Sequence, residues 1–310
     1  MSLDLSIVIP AFNEADRIET GFARLRPVLD TLDLDRVEVI VVDDGSTDGT
    51  GRTAAVTYGV LPHSLVIHQE TNRGKGAAVR LGFTVASGRH VIVCDADMAI
   101  DPRHIPAITA ALETTPLAFG TRASNGPVRY DSALRTRAGA AFNALVRRTV
   151  GVTSRDTQCG CKGFTLPAAR LLGALGLVEG FAYDVELFYL ASRVGLEITA
   201  VPVQWDDVEG SSVNVRRDSR AMWRDIRDIP KTNYTSPAVR LDHDVSLDEI
   251  DAVARSTRVQ GVLVARGSHD SVVVVPRTGA LAAMEIAQRI GGHVTSVDLE
   301  QLVGREFFAR

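Results

Sequence analysis

Val91-Ile92-Val93-Cys94-Asp95-Ala96-Asp97 is an apolar run that stops abruptly at two carboxylates one residue apart. The apolar part reads as a strand buried on both faces, as strands of parallel sheets are. The carboxylates then fall at the carboxyl edge of that sheet. Two ionised aspartates about 4 Å apart repel by about 4 kcal/mol at an effective dielectric of roughly 20, and a divalent cation converts that repulsion into attraction. The competing reading is a plain turn, because aspartate is common in turns and at helix caps.

Outward from this stretch, residues 5–119 alternate strand and helix patterns, which predicts an α/β fold with a mostly parallel sheet and helices on both faces. Strands are expected at residues 5–10, 37–42, 65–68, 90–94 and near 117–120; helices are expected at 14–32, 48–58 and 77–86. Ile18, Phe22, Leu25 and Leu29 mark the apolar stripe of the first helix. Four polar clusters, residues 10–14, 43–46, 73–75 and 95–97, each follow a different strand and therefore share one sheet edge. In open α/β sheets that edge is where ligands bind. After Gly120 the regularity breaks. An arginine-bearing helix is expected at 132–150, a compact glycine-punctuated segment at 156–164, helices from Pro167 and Tyr183, a strand at 197–205, a polar loop at 206–217 and a helix at 219–229. The division expected is a main domain at 1–230, a linker at 231–244 and a small α/β appendage at 245–310 in which no chemical motif is identified.

Composition narrows the classes. With 310 residues and 45% hydrophobic content the chain can build a large core, and its formal net charge of -4 gives no expectation of nucleic-acid binding. Three cysteines, Cys94, Cys159 and Cys161, with no C-x-x-C spacing argue against a zinc site or a disulfide framework and fit a reducing cytoplasm. No leader precedes the first strand and no window approaches 18 continuous apolar residues, so contact with a membrane is expected to be peripheral. Only Lys75, Lys162 and Lys231 are lysines among 34 basic residues, which singles each of them out. A dinucleotide-binding dehydrogenase is disfavoured: Pro10-Ala11-Phe12-Asn13-Glu14 stands where G-x-G-x-x-G would follow strand one.

Several motifs carry a resemblance in order and spacing. They are Ile9-Pro10-Ala11-Phe12-Asn13-Glu14, Val42-Asp43-Asp44-Gly45-Ser46-Thr47-Asp48, Asn72-Arg73-Gly74-Lys75-Gly76, Asp95-Ala96-Asp97 and Gly120-Thr121-Arg122. Asp156-Thr157-Gln158-Cys159-Gly160-Cys161-Lys162-Gly163-Phe164 and Tyr183-Asp184-Val185-Glu186-Leu187 continue the series. Over about residues 4–230 the chain resembles inverting nucleotide-sugar glycosyltransferases of the GT-A fold, of the dolichyl- or polyprenyl-phosphate sugar synthase type in glycosyltransferase family 2. The appendage lies outside the resemblance.

The resemblance implies a role for each position. Pro10, Ala11, Glu14 and Asp43 fall where the family holds the nucleoside, and a carboxylate can accept from a base N–H or ribose hydroxyl. The alternatives are a helix cap for Glu14 and a strand-end turn for Asp43; Asp44 is read as shaping the turn. Arg73 and Lys75 would offer positive charge and backbone N–H groups to the diphosphate, a solvated turn being the alternative. Asp95, Ala96 and Asp97 would face the donor, with Asp95 and Asp97 holding Mg²⁺ or Mn²⁺ and Asp97 as the direct ligand. Some relatives have a glutamine two residues later; here it is Ala99, leaving that position in the shell to water or diphosphate.

Arg122 and Arg135 fall where relatives grip the acceptor phosphate, whereas Arg137, Arg147 and Arg148 read better as a solvated helix face. Lys162 is either a charge near the phosphates or a surface lysine in a tight turn. Asp184 would be a base for a hydroxyl acceptor, but a lipid phosphate is already anionic and needs only positioning. Relatives carry Gly-Ser-Lys where this chain has Gly210-Ser211-Ser212, leaving Arg216 and Arg217 to replace the lysine. The implied function is metal-dependent, inverting transfer of a hexose, glucose or mannose, from a nucleotide diphosphate sugar (UDP-sugar favoured over GDP-sugar) to polyprenyl phosphate. The alternatives are a soluble transferase with a hydroxyl acceptor and Asp184 as base, and a nucleotide-sugar-binding module without turnover.

Overall fold

The computed structural model describes residues 3–122, 133–152, 154, 156–205, 215–241, 245–256, 262–267, 270–275, 280–302 and 305–308. Within them, residues 133–138, 140, 215–219, 255–256 and 280–282 are described by backbone alone. The main sheet has seven strands in the order β3-β2-β1-β4-β6-β5-β7. They are β1 (Leu5–Ala11), β2 (Val37–Asp43), β3 (Ser64–His68), β4 (His90–Cys94), β5 (Leu117–Thr121), β6 (Cys161–Thr165) and β7 (Ile198–Pro202). Every strand runs parallel except β6, which lies antiparallel between β4 and β5. The second half of the segment at 156–164, expected only to be compact, thus enters the sheet in β6, placing Cys161 opposite Cys94.

Alternation along the strands divides the core in two. Ile7, Ile9, Val39, Val41 and Ile92 pack under α1 (Ile18–Leu29), α2 (Thr50–Tyr58) and α4 (Ile105–Ala111). On the opposite face Val8, Ile40, Val42, Val91 and Val93 meet α3 (Lys75–Val85), α6 (Leu166–Leu175) and α7 (Tyr183–Arg193). The helices α5 (Ala133–Val150) and α8 (Val215–Asp228) join this second layer through Val146, Val150 and Ile226. Helix α4 was not among the expected elements. The first helix begins at Ile18, because residues 12–17 form the loop that serves the sheet edge.

The linker expected at 231–244 is corrected. Residues 235–241 form β8 (Thr235–Leu241), which sits inside a second, five-stranded antiparallel sheet of order β11-β8-β10-β9-β12. Its polar flanks masked an alternation in which Val239 and Leu241 face one side and Ala238 the other. The sheet is completed by β9 (Leu263–Arg266), β10 (Ser271–Val274), β11 (His293–Asp298) and β12 (Glu306–Phe308), with helices α9 (Leu247–Ser256), α10 (Ala280–Ile290) and α11 (Leu299–Leu302). Through β11 this is the βαββαβ order of ferredoxin-like units, extended by β12. Ile250, Ala283, Ile286 and Ile290 cover one face, while Ala238, Leu263, Ala265, Val272 and Val274 join the same core cluster as α6 and α7. The α3–α6–α7 layer is therefore enclosed between two sheets, which fixes α7, whose first residues reach the candidate site.

Candidate active site

Strands β1, β2 and β4 end side by side, and their loops are tied to one another. Ala11 is in register with Asp43, and the Asp44 N–H donates to the Ala11 carbonyl at 2.8 Å. Asn13, at φ 54°, donates its N–H to Ser46 Oγ at 2.9 Å and accepts from the Thr47 N–H at 3.0 Å. The N–H groups of Glu14 and Ala15 donate to Thr50 Oγ1 at 2.8 Å and Asp48 Oδ2 at 3.0 Å. Pro10 and Ala11 are buried, so they shape this edge rather than present side chains to it. The Glu14 carboxylate pairs with Arg17 at 2.7 Å. Asp43 is buried, its Oδ1 accepting the Ser46 N–H at 3.1 Å and its Oδ2 lying 2.8 Å from His68 Nδ1. The strand-end turn weighed for Asp43 is thus present, and its carboxylate oxygens still have lone pairs for a further donor.

Asp44 does more than shape its own turn. It accepts the N–H groups of Arg73 and Gly74 at 2.8 and 2.7 Å and the Gln69 amide at 2.8 Å, binding the next loop to β2. Burial pushes its carboxyl above the ordinary aspartate value, and those two N–H bonds pull it back. Gly74 has φ 107°, and a Cβ there would lie 2.4 Å from the Glu179 carbonyl. That carbonyl accepts the N–H groups of Gly76 and Ala77 at 2.7 and 3.2 Å, in the first turn of α3. The backbone donors of Arg73, Gly74, Gly76 and Ala77 are therefore satisfied within the protein. For these four residues this corrects the expectation that the loop offers its N–H groups to a diphosphate; what Arg73 and Lys75 offer is side-chain charge. Arg73 holds Glu179 at 2.5 Å on the surface, and Lys75 turns inward.

Lys75 Nζ lies 2.5 Å from Asp95 Oδ1, both side chains half-buried. Burial works against the ammonium, but Asp95, Asp184 and Asp97 outweigh it and hold its pKa above the usual lysine value. Asp95 packs against Gly160, where a Cβ would come within 2.2 Å of Oδ2. Asp97 Oδ1 accepts the Ala99 N–H at 3.1 Å, so a local turn does exist. Burial first, and then the charge of Asp95, push the Asp97 carboxyl above its ordinary value against the opposing charges of Arg17 and Lys75. Ala96, between them, is buried.

Behind Lys75 stands Tyr183, its ring centroid 5.7 Å from Lys75 Nζ and 6.0 Å from Lys162 Nζ. Lys162, from the middle of β6, is buried and pairs with Asp184 Oδ1 at 2.7 Å while donating to the Cys159 carbonyl. That excludes the surface-turn reading of Lys162 and commits its charge to Asp184. With its Oδ1 engaged by that ammonium, the Asp184 carboxylate is poorly placed to take a proton from an acceptor, which counts against a hydroxyl-acceptor role. Glu186 accepts the N–H groups of Leu177 and Val178 at 3.0–3.1 Å and caps that turn instead of joining the site.

At the end of β5, Arg122 closes on Asp156. Its backbone N–H (2.9 Å) and Nε (3.0 Å) meet Oδ2, its terminal nitrogen meets Oδ1 at 2.7 Å, and the guanidinium lies 5.7 Å from the Trp205 ring centroid. The fork expected to grip an acceptor phosphate is used on a buried carboxylate. Arg135 belongs to α5, but its side chain, like those of Arg137, Arg216 and Arg217, lies outside what is described, as do residues 206–214 with Gly210-Ser211-Ser212. Arg148 is exposed, in keeping with a solvated helix face. Sequence reasoning passed over Asp156, Tyr183 and Gly160 as individuals; the quoted motifs contained all three.

The donor set can be tested for a metal. Around Lys75 and Lys162 stand Asp95, Asp97 and Asp184, three carboxylates against two ammoniums. Asp97 lies beside Asp95, with Arg17 and Lys75 as its opposing charges. Among the described residues no group of three or more His, Cys, Asp or Glu is assembled to hold a metal alone. Two carboxylates with the remainder from a diphosphate is the usual arrangement for Mg²⁺, so the residues fit.

The family model for glycosyl transferase family 2 matches residues 6–170. The chain is 35% identical over 242 residues to dolichyl-phosphate beta-glucosyltransferase of Drosophila melanogaster, covering 73% of this chain and 74% of that one. It is 30% identical over 236 residues to the protein of the same name from Dictyostelium discoideum, with 72% of each covered. Among solved structures it is similar to glucosyl-3-phosphoglycerate synthase from Mycobacterium tuberculosis in complex with UDP, at a TM-score of 0.56 and 21% identity over 77% of this chain and 84% of that one. That likeness agrees with the GT-A fold read from the motifs. With a β1–β2–β4 edge of this construction and relatives of this identity over this span, the chain belongs to glycosyl transferase family 2 and is a glycosyltransferase.

Proposed function

We propose that the enzyme transfers glucose, with inversion, from UDP-glucose to a polyprenyl phosphate, assisted by Mg²⁺ or Mn²⁺. The relatives' names support glucose and a lipid phosphate. The observation that carries the choice of acceptor is the Asp184–Lys162 pair: the carboxylate a hydroxyl acceptor would need as base is already held. A phosphomonoester has a second pKa near about 6 and arrives ionised, so no base is required. One of its oxygens attacks C1, the C1–O bond to the diphosphate breaks, and the departing UDP takes the bonding pair. Asp95 and Asp97 would hold the metal, which supplies charge stabilisation for the departing diphosphate. Asp43 accepts from the base, and the Asn13–Ser46 and Asp44–Gly74 ties keep the edge rigid so that donor and acceptor meet in line. Lys75 adds charge for the leaving group. Among the described residues no helix is long and apolar enough to cross a membrane, which supports peripheral contact with the lipid.

The test is a panel: radiolabelled UDP-glucose, UDP-galactose, GDP-mannose and GDP-glucose, each with polyprenyl phosphate, a polyprenol, or a sugar alcohol, with Mn²⁺ or with EDTA. Label entering the organic phase from UDP-glucose, only with the phosphate and only with metal, is the expected result. Transfer confined to hydroxyl acceptors, or undiminished in EDTA, would overturn the reading.

A further inference from the structure

Two cations have a claim on Asp95. In the structure the Lys75 ammonium sits on Oδ1 at 2.5 Å, on the carboxylate that the metal would share with Asp97. The lysine is mounted so that only its side chain can move. The backbone on either side is fixed by Asp44 through Arg73 and Gly74, and by the Glu179 carbonyl through Gly76 and Ala77. Of its other acidic neighbours, Asp97 and Asp184, the latter is committed to Lys162. The Tyr183 ring, from the first turn of α7, lies 5.7 Å from the ammonium.

We infer that Lys75 is a stand-in for the metal: it neutralises Asp95 while the site holds no donor and moves to the diphosphate when the donor arrives. Asp95 then passes from the ammonium to the divalent cation, and the ammonium exchanges one carboxylate for phosphate oxygens. Charge at the edge is balanced in both states. The consequence is ordered loading, in which a divalent cation alone competes with Lys75, whereas the cation together with a diphosphate does not. The inference rests on the metal-dependent reading above but concerns metal affinity, so it can fail while transfer activity stands.

Mn²⁺ binding is read by electron paramagnetic resonance of the free ion, with and without UDP, for the wild type, Lys75→Met, Lys75→Gln and the exposed-lysine control Lys231→Met. Without UDP, Lys75→Met is expected to bind Mn²⁺ about fivefold more tightly than the wild type, the scale of one partly exposed ion pair. UDP should then enhance Mn²⁺ affinity less in that variant than in the wild type, and Lys231→Met should match the wild type. Equal or weaker Mn²⁺ binding by folded Lys75 variants without UDP overturns the inference, and absence of Mn²⁺ binding by every protein overturns it together with the metal reading. Should both Lys75 variants fail to fold, wild-type protein labelled with ¹³C at lysine Cε has only three signals to follow. Mg²⁺ with UDP should shift the signal of Lys75 and leave that of Lys231 in place; no shift at Lys75 overturns the proposal.

Discussion

Replacing Lys162 by methionine removes one half of a buried ion pair and leaves the other half in place. The Lys162 and Asp184 side chains are only 2% and 7% exposed, and their charged atoms are 2.7 Å apart. Removing one partner of such a pair typically costs about 3–5 kcal/mol, because the surviving charge stays buried without its counter-ion. For a chain of this size roughly 2–4 °C of melting temperature goes with each kcal/mol, so K162M should melt about 10 °C lower. The loss belongs to the stranded carboxylate and not to missing packing, since methionine refills most of the volume. The double variant K162M/D184N should therefore regain most of the difference, giving a coupling of about 2–3 kcal/mol in a four-protein cycle. Urea unfolding of wild type, K162M, D184N and the double variant reads it directly. A K162M variant as stable as the wild type, or a double variant whose loss is the sum of the single losses, would rule out a stabilising Lys162–Asp184 pair. Transfer activity in D184N is informative too: a positioning role allows substantial activity with a phosphate acceptor, whereas a general base does not.

Gly160→Ala would put a Cβ 2.2 Å from Asp95 Oδ2, more than about 1 Å inside ordinary contact, and the carboxylate must move. Turnover should fall by about a hundredfold with little change in melting temperature, as steady-state kinetics and calorimetry will show. Asp44→Asn forfeits an acceptor for the N–H groups of Arg73 and Gly74, so UDP affinity measured by titration calorimetry should weaken by about tenfold while the fold persists. Glu186 gives a pH signature. Burial outweighs the opposing N–H bonds and lifts its carboxyl above the ordinary glutamate value, so the folded state binds that proton more tightly than the unfolded one. Its contribution to stability is complete below pH 4.5 and declines as pH rises through the lifted value; Glu186→Gln should abolish that part of the pH dependence of unfolding.

The sheet edge was legible because it is built from local signals. Apolar runs ending in Asp43, Asp95 or Pro10 announce strand termini, and alternation with helices makes those termini coincide. Strand β6 escaped because a glycine-rich segment between buried cysteines carries no alternation, and its place depends on two distant strands, β4 and β5, that it pairs with. The same holds for β8: Pro237 and the polar residues around it read as a linker until β10 and β11 supply partners. In the site, residue types were readable and pairings were not. Lys75 and Lys162 stood out by rarity, yet which carboxylate each takes follows from the β6–α7 and β4–α3 neighbourhoods, set by tertiary packing. Arg122 shows the limit most clearly, since its partner Asp156 is 34 residues away and turns an expected phosphate grip into an internal lock.

The proposed reaction is displacement at C1 of a nucleotide-activated glucose by the oxygen of a lipid phosphate. It is tested most directly by NMR of the product formed from UDP-α-glucose and polyprenyl phosphate. The ³¹P resonance of the lipid is expected to change from monoester to diester, and the anomeric proton to show a β-linked glucose. An α-linked sugar, or a lipid phosphate that remains a monoester while glucose appears on a hydroxyl, would contradict it.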